Sequence, residues 1–448
     1  MLKRHGARIR DPIHGSLEFD ADELALVDHR AYQRLRLIKQ LGLADLAFPG
    51  ATHTRFAHGL GVTHVAARMF DGVTRDYELT ASERQRLRTT LRLAALFHDL
   101  GHAPLSHTTE RFMPPVRQLE LGPWMSGSRD RRAGHEDYTL KILVDSDLTE
   151  LFRRRFRDRG VEPEDVCALL ANRLPEGMAN PFHIGGRNWL PLLHQCVSSE
   201  VDADRMDYLL RDSYFAGVPY GRYDSDWLIE NLTTVERGVD LHLGLHAKAS
   251  FGFEDYLLSR YHMFMSVYFH HVPIGYELML TRFFAESAHE LRFPANIEQY
   301  FDCDDMFLQI RLKRSDNPWA RRIIERRGYR MLAEEKGLSQ DGTDAELDGD
   351  LELLHLRLEE AQVPAILHTV QGRLSKYFSF GASRPPGASE PDLYFVEDNG
   401  RTFTIDNYSP LYRRYAGAAV LKRVYVDPDA SDRAQRVLNL TLGGKRQR

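Results

Sequence analysis

The sequence has few of the features that mark an exported, membrane-spanning or repetitive protein. Only three cysteines occur in 448 residues, and Cys167, Cys196 and Cys303 form no CxxC pair, which excludes a disulfide framework and favours reduced thiols. No apolar run approaches the roughly 20 residues that cross a bilayer, and the first residues are charged. A solenoid period is also lacking. We therefore expect a soluble, cytoplasmic protein with no membrane partner.

An excess of positive charge is absent as well. The formal net charge is -5, which argues against a globally basic nucleic-acid-binding protein. Short arginine runs at 153–155 and 321–322 are typical of solvated helix faces, although they leave a local contact with nucleic acid open. With 43% hydrophobic residues, the chain can bury a large core.

The first two thirds of the chain are typical of amphipathic helices. In residues 84–99, apolar side chains recur at helical spacing, so that Leu87, Leu91 and Ala94 share one face with His98. The pattern predicts a helix that ends close to His98.

The last part of the chain has a different character. Residues 311–360 are rich in charge and contain EEKGLSQDGTDAELDGD at 334–350, which predicts a solvated loop between helices. Residues 382–391 combine Pro, Gly and Ser and predict a loop or linker. Residues 393–405 predict a β-hairpin around Asp398-Asn399-Gly400, and residues 420–428 predict another strand. We therefore predict a mainly α fold with three parts, namely a helical core at 1–280, a helical extension with a charged loop at 281–381, and a small α+β region at 382–448.

His98 and Asp99 carry the strongest local signal. The adjacent imidazole and carboxylate stand at the end of an apolar helical run, which Leu100-Gly101 breaks. A rigid helix end can present such a pair to a divalent cation as one nitrogen and one oxygen ligand. Alone, the dipeptide is weak evidence, because a capped surface helix could contain the same two residues.

Two further residues would complete a ligand set. His58 lies in RFAHGLGVTH, and Asp204 lies in VDADRMDYLLRD. Two imidazoles and two carboxylates suit Mn²⁺, Fe²⁺, Ni²⁺, Co²⁺ or Zn²⁺ and suit Mg²⁺ less well, because imidazole favours transition metals. Four protein ligands on an octahedral ion leave positions for water and a phosphate oxygen, so such a metal could generate hydroxide or polarise a phosphoryl group.

Five motifs together resemble the HD-superfamily deoxynucleoside triphosphate (dNTP) triphosphohydrolases, including the SAM-and-HD-domain enzymes and their bacterial relatives. They are DPIHG, YQRLRLIKQLG, RFAHGLGV, HDLGHAPLSH and DADRMDYLLRD, in the family's order, within about residues 8–275. The resemblance implies that residues 1–280 form a mostly helical HD phosphohydrolase core. It also implies hydrolysis of a dNTP, with dGTP among the candidates, to deoxynucleoside and inorganic triphosphate by attack at the α-phosphorus. The implied metal ligands are His58, His98, Asp99 and Asp204.

The resemblance also implies a catalytic group beside the metal. His107 matches the imidazole next to the scissile phosphate, Glu110 follows three positions later, and His135 precedes Glu136. A histidine oriented by a carboxylate can act as a general acid for the leaving 5′ oxygen or as an in-line nucleophile, and both roles stay open. His102, His107 and His135 also fit satisfied polar residues of a helical pocket, or ligands of a second metal.

A third group of residues is implied to bind the substrate. Arginine suits phosphate because its planar guanidinium offers several donors and stays charged. Tyr268 would pack against C2′ of the deoxyribose and leave no room for a 2′-hydroxyl. Arg260 and Tyr268 also fit an exposed charge and an ordinary core aromatic. The implied phosphate contacts are Arg55, Arg205 and Arg260, and the implied sugar and base contacts are Gln40, Leu41, Tyr208, Asp212 and Tyr268.

Many members of the family that this sequence resembles assemble as oligomers and bind activating nucleotides between subunits. Asp28, Gln33 and Arg36 occupy matching positions, whereas Ala7 and Arg10 depart from the lysine and asparagine of the animal enzymes. The resemblance thus implies a homo-oligomer, as a dimer or tetramer, and leaves an activating nucleotide as a hypothesis. Plain helix contacts or a subunit interface would explain the three matching residues equally well.

Two other functions are compatible with the metal ligands. HD proteins include phosphodiesterases for cyclic nucleotides, alarmones and nucleic-acid ends, but Arg205, Tyr208, Arg260 and Tyr268 suit a deoxyribose triphosphate better than a cyclic diester. The second alternative is a nucleotide-binding regulatory protein, against which the intact pair of His107 and Glu110 argues. We therefore predict a dNTP triphosphohydrolase.

Overall fold

The computed structural model describes residues 6–126, 128–287, 291–339, 349–373, 393–415 and 418–443, and the statements below concern these residues. The fold is mainly α, as predicted. The helices are α1 (Ala21–Val27), α2 (Arg30–Gln33), α3 (Arg55–Val73), α4 (Ala81–Phe97), α5 (His107–Glu110), α6 (Pro123–Ser126), α7 (His135–Val144), α8 (Asp147–Phe156), α9 (Pro163–Ala171), α10 (Leu190–Val197), α11 (Ala203–Ala216), α12 (Ser225–Glu230), α13 (Ser250–Met263), α14 (His271–Glu286), α15 (Ile297–Tyr300), α16 (Asp305–Arg314), α17 (Pro318–Ile324), α18 (Asp350–Glu360), α19 (Ile405–Tyr408), α20 (Pro410–Tyr415) and α21 (Ser431–Leu442).

The strands are short and form three sheets. They are β1 (Ala7–Asp11), β2 (Gly15–Phe19), β3 (His183–Ile184), β4 (Arg187–Asn188), β5 (Leu232–Arg237), β6 (Asp240–His246), β7 (Arg330–Ser339), β8 (Ala365–Arg373), β9 (Tyr394–Val396), β10 (Thr402–Thr404) and β11 (Ala418–Val426). β1 and β2 form a separate antiparallel pair, and β7, β11 and β8 form a three-stranded sheet in that order. The remaining six strands share one sheet with β6 at its centre. No helix of the described residues is long and apolar enough to span a bilayer.

The predicted helix before His98 is confirmed as α4. Its first turn is a capping box, in which the Thr80 hydroxyl accepts from the Glu83 amide and the Glu83 carboxylate accepts from the Thr80 amide. The face that carries Leu87 and Leu91 is fully buried in the main core. Because α4 ends at Phe97, the next two residues, His98 and Asp99, stand at a rigid helix end.

The predicted hairpin is also confirmed, since β9 and β10 pair antiparallel across a turn in which Gly400 has a φ of +80°. However, β9 pairs in parallel with β6, so the hairpin belongs to the core sheet. The strand predicted at 420–428 corresponds to β11. The linker predicted at 382–391 lies outside the described residues.

The small C-terminal unit differs from the prediction in its boundaries. Part of the predicted charged loop forms β7, and β8 also falls within the predicted helical extension. Both strands pair with β11, so the unit draws on residues from both sides of the predicted boundary at 381. One of its apolar clusters packs α18 and α21 together, whereas Ile366 and Tyr425 pack with Ile274 of α14. The charged run Glu334-Glu335-Lys336 made a strand resemble a loop.

Candidate active site

The four predicted metal ligands meet where α3, α11 and the end of α4 converge. His58 Nε2 lies 3.0 Å from Asp204 Oδ1 and 3.7 Å from Asp99 Oδ2. His98 Nε2 lies 3.4 Å from Asp99 Oδ1 and 3.5 Å from Asp204 Oδ1. His58, His98 and Asp204 each offer one ligand atom, and these three atoms lie within 4.8 Å of one another. Residues separated by up to 146 positions are thus brought to one point.

A buried ion-pair network holds His58 from behind. The Nδ1–H group of His58 donates to Asp207 Oδ2 at 2.7 Å, and His14 Nε2 contacts the other oxygen at 2.7 Å. Arg211 donates twice to Asp207, at 2.8 Å each, and once to Asp11 at 2.9 Å. The DPIHG motif, which supplies Asp11 and His14, therefore supports a metal ligand.

Sequence reasoning missed this network, although its members lie inside the quoted motifs. Asp207 and Arg211 are four residues apart on α11, the spacing of a helical ion pair. This ion pair packs closely against α3 and so explains a glycine of RFAHGLGV. A Cβ on Gly61 would lie only 1.9 Å from Asp207 Oδ1. Only the fold shows that this ion pair faces His58.

The donor set fits a divalent cation. His98 Nδ1 contacts the carbonyl of Ala95 at 2.8 Å and therefore carries the proton, because a carbonyl only accepts. In the neutral ring, His98 Nε2 then carries the lone pair, and this atom is buried without a hydrogen-bond partner among the described residues. An ion bound here would satisfy this lone pair together with the facing carboxylates.

The pKa values of the candidate ligands also indicate a site for a cation. Burial alone would raise the pKa of Asp99, but the Arg55 guanidinium and neighbouring histidines hold it well below its ordinary value. Burial disfavours protonated His58, yet its hydrogen bonds with Asp204 and Asp207 raise its pKa to about 10. The site therefore attracts positive charge, which a proton supplies when no metal is bound.

The predicted catalytic residues form a second group beside the first. Glu110 Oε2 accepts from His107 Nδ1 at 3.1 Å, and Glu110 Oε1 accepts from His135 Nδ1 at 2.5 Å. Burial opposes ionisation of Glu110, but these two hydrogen bonds lower its pKa far below the ordinary value. His102 stacks on His135 with the ring centroids 4.0 Å apart, and burial and Arg55 lower its pKa, so it is neutral. The His107 side chain is 67% exposed, whereas His102 is fully buried.

Two adjacent chambers share part of their lining here. The larger, of about 700 Å³, is lined by the ligands His98, Asp99 and Asp204, and its volume suits a small-molecule site. The smaller, of about 330 Å³, is lined by Leu41, Asp212, Tyr268 and Glu277 among others. The residues common to both chambers are Gln40, Arg55, His107, Tyr208 and Phe264. His107 therefore stands at the junction.

The predicted phosphate-binding arginines line the larger chamber and are buried. Arg205 donates to the Ser199 carbonyl and lies 3.6 Å from Glu200. Arg260 Nη1 donates to the same Glu200 carboxylate at 3.2 Å. Arg55 donates to Asp99. The alternative of an exposed Arg260 is wrong, since its residue exposure is 3%. Glu200, which sequence reasoning missed, orients two of the arginines.

The predicted sugar-binding residues line the smaller chamber. The Tyr268 hydroxyl donates to Asp212 Oδ2 at 2.8 Å, and His53 Nε2 donates to Asp212 Oδ1 at 2.8 Å. The rings of Tyr208 and Tyr268 meet edge to face, 6.1 Å apart. A π-helical turn, Phe264–Tyr268, follows α13 and brings Phe264 and Tyr268 to the same chamber. His53 was missed because its role depends on a contact 159 residues away.

The three residues proposed for an activating nucleotide lie elsewhere. Asp28 and Arg36 are exposed, and Arg36 lies over the Phe56 ring, 3.5 Å from its centroid. Gln33 accepts from Arg36 and donates to the Val27 carbonyl. Within the described part of the chain, none of the three lines either chamber. The structure thus places them on an outer surface.

The helical core and the convergent His and Asp ligands define an HD domain. The HD domain family model matches residues 55–212, and the HD associated region matches residues 223–340. The chain belongs to the HD-domain phosphohydrolase superfamily, as its motifs predicted, and HD domains bind divalent metals.

The chain is also similar to individual known proteins. An uncharacterized protein of Methanocaldococcus jannaschii is 28% identical over 403 residues, which are 90% of this chain and 74% of that protein. The Dictyostelium discoideum homolog of SAMHD1, a deoxynucleoside triphosphate triphosphohydrolase, is 28% identical over 324 residues. That match covers 69% of this chain but only 55% of the homolog, so the chain spans about half of it. The crystal structure of a hypothetical protein from Aquifex aeolicus has a TM-score of 0.73 and 26% identity, and it covers 97% of this chain and 100% of its own.

Proposed function

We propose that the protein hydrolyses dNTPs to deoxynucleoside and inorganic triphosphate. The observation that carries the proposal is the two-chamber site with His107 at its junction. One chamber offers a tyrosine and a carboxylate suited to a sugar, and the other offers ionised metal ligands and buried arginines. A nucleotide that spans both would place its α-phosphate beside His107. The similarity to SAMHD1 homologs supports the same substrate class.

Metal binding is assigned to His58, His98, Asp99 and Asp204. When bound, a divalent cation supplies Lewis-acid polarisation of a phosphate oxygen and a lowered pKa for water. The mixed nitrogen and oxygen ligands favour Mn²⁺, Fe²⁺, Ni²⁺, Co²⁺ or Zn²⁺ over Mg²⁺. Asp207 keeps the His58 ring in the tautomer that presents Nε2 to the site.

His107 is proposed as the general acid for the leaving 5′ oxygen. Because its Nδ1–H group donates to Glu110, its Nε2 atom is the one available to a substrate. The Glu110 carboxylate orients the His107 ring through this hydrogen bond, and Glu110 also accepts a hydrogen bond from His135. Arg55, Arg205 and Arg260 would bind the phosphate oxygens and hold the chain of phosphates in line with this imidazole.

Selection of deoxyribose is assigned to Tyr268. Its hydroxyl is held by Asp212, so the ring cannot turn aside without losing a hydrogen bond. Both carboxylate oxygens of Asp212 already accept a bond, one from Tyr268 and one from His53. A ribose 2′-hydroxyl packed against the face of this ring would lose water, and the ring face offers it no hydrogen-bond partner of comparable strength. Gln40 and Leu41 would complete the wall around the sugar and base.

The test is a chromatographic product analysis. Purified protein is incubated with each dNTP and NTP and with Mn²⁺, Co²⁺ or Mg²⁺, with and without added dGTP. We expect deoxynucleoside and intact triphosphate in equal amounts, and stimulation by dGTP would support an activating site and a homo-oligomer. The His98→Ala/Asp99→Ala variant is the negative control. Absence of product from every triphosphate would refute the proposal, and cyclic dinucleotides and oligonucleotides would then test the phosphodiesterase alternative.

A further inference from the structure

The loop between the HD pair and His107 is held by side chains from distant segments. The Arg34 guanidinium donates to the carbonyls of Leu100 and His102, at 2.9 and 2.8 Å. The Tyr300 hydroxyl donates to the Gly101 carbonyl at 2.8 Å. Arg34 also donates to the Cys303 carbonyl, so this loop is tied to the HD associated region.

The end of this loop has an unfavourable backbone conformation. Leu105 and Ser106 have φ values of +55° and +57°, and neither is a glycine. Two successive residues of this kind persist only where the surrounding structure holds them. They immediately precede His107, so whatever holds them also determines where the catalytic imidazole lies.

Asp305 provides such a hold. Its Oδ1 atom accepts from the Leu105 amide at 2.8 Å, and its Oδ2 atom accepts from the Lys39 amide at 2.9 Å. Lys39 precedes Gln40, which lines both chambers, and Leu105 precedes Ser106 and His107. One carboxylate therefore joins the two backbone segments that border the junction.

The carboxylate is itself well anchored. Asp305 is the first residue of α16, and the preceding Asp304 caps that helix by accepting from the Phe307 amide at 2.8 Å. On the other side of the turn, Arg55 Nε donates to Ser106 Oγ at 2.7 Å. Among the described residues, Asp305 lines neither chamber, so it would act on the reaction only through its two amide partners.

We propose that Asp305 is a positioning residue, whose carboxylate holds the Leu105–Ser106 turn and thereby sets the place of the His107 imidazole at the junction. The inference rests on the proposed function to the extent that the reacting phosphate lies beside His107. It assigns to the HD associated region a direct part in assembling the active site.

Asp305→Asn is the informative variant, because it keeps the size of the side chain but has one acceptor oxygen for two amides. Asp302→Asn is the matched control, since Asp302 is an exposed aspartate of the same segment. We expect kcat on dNTP to fall about 10- to 100-fold in Asp305→Asn, with KM little changed, because a misplaced catalytic group costs rate more than binding. Bound metal should match that of the control, and circular dichroism should show that the variant remains folded. A kcat like that of the wild type, or a parallel loss of bound metal, would overturn the proposal.

A second measurement needs no substrate. Hydrogen exchange at the Leu105 and Lys39 amides should accelerate in Asp305→Asn, and the His107 ring resonance, identified with His107→Gln, should shift. If the wild type hydrolyses no dNTP, the proposed function fails, and these two signals still decide the positioning role. Unchanged exchange and an unchanged His107 resonance would show that Asp305 does not position His107.

Discussion

The metal ligands and the His107 group lie side by side but are held in different ways. His58, His98 and Asp204 lie on or beside long helices, and the buried Asp207 and Arg211 pair locks the first of them. His107 instead lies on a single helical turn after two strained residues, and its side chain is mostly exposed. The candidate metal ligands are thus supported by buried ion pairs, whereas the proposed catalytic imidazole follows a loop whose backbone accepts hydrogen bonds from distant segments and donates hydrogen bonds to them.

Because the two groups are held in different ways, we expect substitutions in one group to leave the structure of the other intact. Loss of the metal ligands should have the largest effect on activity. Removing both members of the HD pair, in His98→Ala/Asp99→Ala, takes away one nitrogen and one oxygen ligand. We expect bound metal and turnover to be lost together, to the level of the uncatalysed reaction. Elemental analysis measures the bound metal, and product formation measures the turnover. Retention of the metal with loss of activity would contradict the ligand assignment.

Loss of the catalytic imidazole should spare the metal. In His107→Ala the ligands remain, so metal content should equal that of the wild type while kcat falls by roughly 10²- to 10⁴-fold, the usual contribution of a general acid. His183→Ala, which removes an exposed histidine, is the control. If His107→Ala also lost metal, the group with Glu110 and His135 would hold an ion and the catalytic role would be wrong.

The support behind His58 should matter less than the ligand itself. The Asp207→Asn change removes the negative charge and one of the two acceptor oxygens that His58 and Arg211 contact. We therefore expect metal affinity to fall about 10- to 100-fold. Competition with a coloured chelator measures this change. Asp226→Asn breaks an exposed ion pair with Arg68 and serves as the control, which should leave the affinity unchanged. Equal affinities in the two variants would contradict the idea that Asp207 supports the metal site.

The sugar contact should change selectivity more than rate. In Tyr268→Ala the barrier to a 2′-hydroxyl disappears, and the ratio of ribo- to deoxynucleotide hydrolysis should rise by about 10-fold. Tyr268→Phe keeps the ring and should retain the wild-type preference. The ratios come from competing dATP and ATP in one reaction, and an unchanged ratio in Tyr268→Ala would contradict the assignment.

The smallest expected effect is a pH dependence of stability at Asp305. Burial raises its pKa to about 6, although hydrogen bonds from the Lys39 and Leu105 amides oppose this. Since the folded-state pKa lies above the ordinary value, ionisation of this buried carboxyl costs stability, so the unfolding free energy is higher at low pH and falls as the pH rises through about 6. The unfolding free energy of the wild type relative to Asp305→Asn should therefore drop by about 2 kcal/mol between about pH 4 and pH 7. Urea titrations at several pH values measure it, and a constant difference would contradict the prediction.

Local patterns predicted what depends on neighbours in the chain. The end of α4 before His98 and the hairpin around Gly400 both follow from period and turn chemistry. The strand β7 was not predicted, because its charged residues obscure the alternation of a strand. Its pairing with β11, about 90 residues later, could not be read from spacing at all.

The sequence by itself determined the types of ligand, their order and the family, because the motifs are local and their chemistry belongs to the side chains. The tertiary structure alone decided that Asp207 faces His58, that Glu200 serves both Arg205 and Arg260, and that Asp305 reaches Leu105. Each of these contacts joins segments that helical or strand periodicity does not relate. Only packing of the elements against one another, driven by burial of their apolar faces, brings such residues within hydrogen-bonding distance.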